Sequence, residues 1–133
     1  MKYMLLMNAM TMGDAYGGAT GWDTKDIQAH TVFLKGLSKS LRESGELVST
    51  EGLGLPDQAK IVRAGRNGVP ETDGVFPETK EFLAGYWIVD VDTPERAYAI
   101  AARASASPGP KGATLNMPIE VRPIMSAPPP ELV

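Results

Sequence analysis

Residues 2–8, Lys-Tyr-Met-Leu-Leu-Met-Asn, run apolar without a break from Tyr3 to Met7. That is the pattern of a strand covered on both faces, and so central in a sheet. Residues 9–22 carry Gly13, Gly17, Gly18 and Gly21 and read as a long loop. Asp23 or Thr24 then offers an N-cap, with Asp26 in the first turn. Ile27, His30, Leu34, Leu37 and Leu41 fall on one stripe at the 3.6 period, which predicts an amphipathic helix. Gly45 stands where a helix end takes a left-handed residue. A second strand is expected over 46–52. Residues 59–65 and 69–73 flank Arg66-Asn67-Gly68, and Asn-Gly between two such runs predicts a hairpin. Asp73-Gly74 turns the chain again, and Pro77 opens a predicted short helix over Glu78–Ala84. Gly85–Asp92 reads as a strand with Trp87, Val89 and Val91 on one face. Thr93 caps a further helix, with Pro94 at its first position and Ala97, Ile100, Ala101 and Ala104 as the buried stripe. A Pro/Gly loop over 107–116, a last strand over 117–125 and a disordered proline-rich tail over 126–133 complete the pattern.

Without the hairpin insertion the order is β-α-β-β-α-β, the ferredoxin-like arrangement of an α+β fold. Residues 1–125 make one domain. Both long helices cover one face of such a sheet, and the other face needs a cover of its own. A second copy of the chain is the natural one, so a homodimer is expected.

Composition narrows the chemistry. The 133 residues contain no cysteine and one histidine. This removes disulfides, thiolate nucleophiles, iron–sulfur clusters and zinc sites of several imidazoles. The net charge of −3 argues against nucleic acid or an anionic membrane as partner. The longest uncharged run, Tyr3–Gly13, is too short for a membrane span, and the apolar run after Lys2 is too short for a secretory signal. A cytoplasmic location is expected.

Candidate site residues follow from alternation along the strands. If Trp87, Val89 and Val91 face the helices, then Tyr86, Ile88 and Asp90 face the opposite cleft. If Ile119 and Val121 face the helices, Glu120, Arg122 and Ile124 share that cleft. Asp90, Glu120, Arg122 and Tyr86 would then form a polar cluster: a carboxylate acid/base with an anion clamp, or an ion pair buried between subunits. His30 has the right chemistry for proton transfer, with Asp57 or Asp90 to orient it. Its place between Ile27 and Leu34 suits a core histidine packed on the sheet. The loop 9–22 lacks both Gly-x-Gly-x-x-Gly and Gly-Lys-Ser/Thr and reads as a lid over the cleft, with Tyr16 and Trp22 as ligand stackers. Residues 71–95 form an acidic band in which Asp73 and Glu78 have metal-ligating chemistry, but solvated caps explain the band as well. No metal or other cofactor is expected.

Several segments carry a family resemblance. They are the opening Met-Lys-Tyr-Met-Leu-Leu, then Glu43-Ser44-Gly45-Glu46-Leu47-Val48 with Glu51-Gly52-Leu53, and the end Ile119-Glu120-Val121-Arg122-Pro123. The strongest is Asp73-Gly74-Val75-Phe76-Pro77-Glu78-Thr79-Lys80-Glu81, followed by Gly85-Tyr86-Trp87. Together they resemble the YCII-related proteins of the DGPF type, whose signature reads Asp-Gly-Pro-Phe-x-Glu-Thr-Lys-Glu; here Val75 stands for the proline. The resemblance implies a dimeric α+β barrel, two sheets facing each other around a cleft, and a small molecule, acidic in one reading, bound between the subunits is the expected function. It also leaves a non-catalytic accessory module associated with sigma-factor systems as the alternative. The wider group carries a histidine, paired with an aspartate, eleven residues before the glycine that ends the first helix. That position here is Leu34, so the pair does not carry over.

Overall fold

The computed structural model describes residues 1–9, 22–54, 56–74 and 82–126. The elements are β1 (Lys2–Ala9), α1 (Thr24–Glu43), β2 (Leu47–Gly52), β3 (Lys60–Ala64), β4 (Pro70–Gly74), β5 (Phe82–Asp90), α2 (Pro94–Ser105) and β6 (Ile119–Pro123). Four strands form an antiparallel sheet in the order β2-β5-β1-β6, while β3 and β4 pair as a separate hairpin. This is the ferredoxin-like α+β arrangement with a hairpin inserted after its second strand. Tyr16, Val75, Phe76, Glu78, Thr79, Lys80 and Glu81 lie outside the described residues, as does the tail beyond Ser126.

β1 runs between β5 and β6 with Leu5 opposite both Trp87 and Val121. Its burial alternates strictly: Tyr3, Leu5, Met7 and Ala9 are buried, while Met4, Leu6 and Asn8 are half-exposed on the other face. The buried set joins Trp87, Val89 and Val91, with Leu37 and Leu41 of α1 and Ala97, Ile100, Ala101 and Ala104 of α2. The small residues of α2 keep that helix close to the sheet.

Local chemistry sets the helix ends. Asp23 caps α1 by accepting from the Asp26 N–H at 2.9 Å, and Asp26 returns the contact to the Asp23 N–H at 3.2 Å. At the other end the Gly45 N–H donates to Arg42 O and the Glu46 N–H to Leu41 O, with Gly45 at φ 80°. In the hairpin, Asn67 and Gly68 take φ 59° and 77°, as the Asn-Gly turn requires.

The structure corrects three predicted elements. Phe82–Ala84 are not the end of a helix; they begin β5 and pair with the end of β1. The ladder passes from Met7↔Gly85 to Asn8↔Leu83, so Ala84 is an extra residue in a bulge. The bulge turns both Ala84 and Gly85 inward, a gain that a helix ending at Ala84 would forgo. β5 also stops at Asp90 rather than Asp92, and β6 covers 119–123 rather than 117–125.

A cavity between the first helix and the sheet

A cavity of ≈ 580 Å³ opens between α1 and the β2–β5 side of the sheet. Met7, Leu34, Ala84 and Trp87 supply apolar wall, and His30, Thr31, Ser38 and Thr50 supply polar groups. Lys35, Lys39 and Arg42 project from α1 onto the same lining, and Glu51 borders it from β2. Its volume lies within the range of small-molecule sites.

Two glycines meet on the strand side. Gly85 pairs with Gly52, and a Cβ on Gly85 would stand 2.9 Å from Glu51 O. β2 therefore approaches β5 over a stretch with no side chain between them. Thr50 reinforces the edge by donating its hydroxyl to Tyr86 O at 2.9 Å.

Two buried groups on this lining need separate accounting. Trp87 is 4% exposed, and its indole N–H has no acceptor among the described residues. His30 is 2% exposed. Its Nδ1–H donates to Pro108 O at 3.1 Å, which selects the tautomer with the lone pair on Nε2. The Trp22 ring meets His30 edge-on at 5.4 Å. Burial pushes the imidazole's pKa below its ordinary value, and the bond to Pro108 O only partly opposes this. Asp26, also buried, accepts from the Lys111 N–H at 3.0 Å, so α1 is tied twice to the 107–116 segment.

The residues singled out from the sequence are distributed over both faces. Tyr86, Ile88 and Asp90 lie in one register with Leu6, Met4 and Lys2, and Glu120 and Arg122 stand opposite Leu6 and Met4 on β6. All of them belong to the face away from the helices. Asp90 is exposed and accepts from the Met1 ammonium at 2.8 Å, whose hydrogen bond and charge lower its pKa. Glu120 and Arg122 are exposed and form no ion pair among the described residues. The four-residue polar cluster is thus not assembled within one chain. Asp57 lies on the 3-10 turn Pro56–Gln58, away from His30's contacts, and Asp73 and Gly74 end β4. Trp22 packs on His30 rather than standing over the open face. No group of metal-ligating side chains gathers among the described residues.

Of the described residues expected to bind or react, His30 and Tyr86 border the cavity, Tyr86 from a strand position whose register belongs to the opposite face. The sequence reading missed Lys35, Lys39, Arg42 and Thr50, and it assigned Trp87 and Leu34 to core alone. Their signal was present: cations at 35, 39 and 42 repeat at i, i+4 and i+7 beside the apolar stripe of α1. Leu34, the position at which the resembling group carries its histidine, lies on this lining, one turn after His30.

Comparison with known proteins yields one family. The model of the YCII-related domain matches residues 1–113. No curated protein matches the chain. The match stops short of β6, yet that strand completes the sheet against β1.

Proposed function

This chain belongs to the YCII-related family, and on that footing we propose that it binds a small molecule in the cavity between α1 and β5. The observation that carries this reading is the cavity itself: ≈ 580 Å³ walled by Met7, Leu34, Ala84 and Trp87, with the hydroxyls of Thr31, Ser38 and Thr50 on the same lining. The apolar lining supplies affinity through burial, and the threonine and serine hydroxyls supply orientation. His30 contributes a rigid wall held by Pro108 and Trp22.

The opposite face has a different role in this reading. Met4, Leu6 and Ile88 are apolar and half-exposed there, and they pair two copies of the chain face to face. The ligand site then lies outside the inter-subunit cleft, within each protomer.

The test uses N-phenyl-1-naphthylamine, a neutral apolar fluorophore that brightens when it leaves water. Saturable brightening is expected with the native protein. Leu34→Trp and Thr31→Trp each place an indole in the cavity from α1, and each is expected to abolish the signal with the fold retained by circular dichroism. Brightening that survives both substitutions would place the dye elsewhere and overturn the reading.

A further inference from the structure

We propose that the ligand of this cavity is an amphiphilic anion, its apolar body against Met7, Leu34 and Trp87 and its anionic group held by Lys35, Lys39 and Arg42. This rests on the cavity being a ligand site and adds the class of molecule it takes.

The argument starts from α1. Residues 35, 39 and 42 are spaced four and three apart, so their side chains share one face of the helix. The stretch from Lys35 to Arg42 spans about 10 Å of helix at 1.5 Å per residue. Like charges at i and i+4 destabilise a helix slightly, so Lys35 beside Lys39 is unfavourable without an anion to share. The chain itself supplies little. Lys39 meets Glu43 at 4.0 Å with both side chains well exposed, a weak contact. Lys35 and Arg42 have no ion pair among the described residues. The lining therefore carries three cations on the helix side against one carboxylate, Glu51, on the strand side.

This asymmetry occurs in a molecule whose net charge is −3. The positive stripe is thus a local feature, set against the overall balance. It lies at a boundary between polar and apolar surface: the cations flank the mouth, and Leu34, Ala84 and Trp87 form the wall. A wholly polar anion would leave that wall wet, and a neutral apolar molecule would leave the cations unused. A molecule with both parts uses both. Arg42 can hold a carboxylate, sulfonate or phosphate with two parallel hydrogen bonds, and the lysines add point charges.

A matched pair of probes tests this. 8-Anilinonaphthalene-1-sulfonate differs from N-phenyl-1-naphthylamine by its sulfonate alone. The anionic probe is expected to bind about tenfold or more tightly than the neutral one at low salt, a difference of roughly 1.4 kcal/mol. Raising the salt to 0.5 M should weaken the anionic probe only, since the cations are open to solvent. Lys35→Gln/Lys39→Gln/Arg42→Gln should erase the preference, bringing the anionic probe's affinity to that of the neutral one. Lys35→Arg/Lys39→Arg should keep it. These positions are exposed, so the variants are expected to fold. If both probes bind with equal affinity and the triple variant changes neither, the anion proposal is overturned while the cavity reading stands. If neither probe binds the native protein, the cavity reading falls, and this proposal with it.

Discussion

At the residue scale, Trp87 and His30 show how a buried polar side chain is settled by its neighbours rather than by its type. Both sit on predicted apolar stripes, and both are buried as that pattern requires. The contact of His30 with Pro108 was not legible, because Pro108 lies 78 residues away and no local pattern encodes it. For the same reason the buried Asp26 read only as a first-turn acid, although it also holds the Lys111 N–H. His30→Gln is expected to lower stability by about 1–3 kcal/mol, because the amide replaces a ring that fills its site and bonds Pro108. Denaturant melts measure it. The pH dependence has a definite sign. The folded state holds the imidazole neutral, with a pKa below 6.5, so the unfolded chain binds the proton more readily. His30's contribution is complete above about pH 6.5 and is lost as the pH falls through the lower folded value. Melts at pH 5 and 7 should therefore differ more for the native protein than for His30→Gln. Equal differences would show that the imidazole is not held neutral.

At the scale of elements, the caps and turns were plain in the sequence. Asp23, Gly45, Asn67-Gly68 and Thr93-Pro94 all act where their local chemistry predicts. The start of β5 was not legible. Pro77 and the acidic residues after it look like a helix start, but Phe82–Ala84 gain more by extending the ladder to β1. The bulge at Ala84 depends on that pairing, which sequence periodicity does not report. Gly85→Ala is expected to destabilise by roughly 1–3 kcal/mol, because its methyl would meet Glu51 O, a backbone atom with little room to yield. The same change pushes β2 away from β5 and should weaken probe binding in the cavity, read by fluorescence titration. A second link joins elements far apart in sequence. Arg96, at the start of α2, grips Glu46 beside β2 at 2.7 and 2.8 Å, and Ser44 adds a hydroxyl donor at 2.7 Å. These bonds hold the Glu46 carboxyl down to about 2, from an ordinary 4.5. Its contribution is present above about pH 4.5 and is lost as the pH falls through 2. With the guanidinium 43% exposed, solvent screens the pair. Arg96→Gln should cost no more than about 1 kcal/mol at neutral pH. It should also flatten the stability profile between pH 5 and 2, as acid titration of the melting temperature would show.

At the scale of the molecule, strand order was legible from the β-α-β-β-α-β order of elements, and the division into two faces from alternation. Which face carries a site was not. Alternation sorts side chains to one side or the other, but it does not say where a helix stands off the sheet and leaves space. The polar residues of the open face drew attention through their charge, whereas the cavity is bordered by residues whose period marked them as core. In the proposed reading, the half-exposed Met4, Leu6 and Ile88 pair two copies of the chain through that open face. Light scattering at micromolar concentration is expected to return twice the 14.2 kDa of one chain, and Leu6→Lys to return the monomer. A native protein that stays at 14.2 kDa would contradict the pairing and leave the cavity untouched.

The cavity itself is tested most directly by the two indole N–H resonances, of Trp22 and Trp87, in a proton–nitrogen correlation spectrum, assigned with Trp87→Phe. On titration with 8-anilinonaphthalene-1-sulfonate, the Trp87 resonance should move progressively to saturation, following the same binding curve as the dye's fluorescence. A Trp87 resonance that stays in place while the dye binds would put the ligand elsewhere and contradict the account.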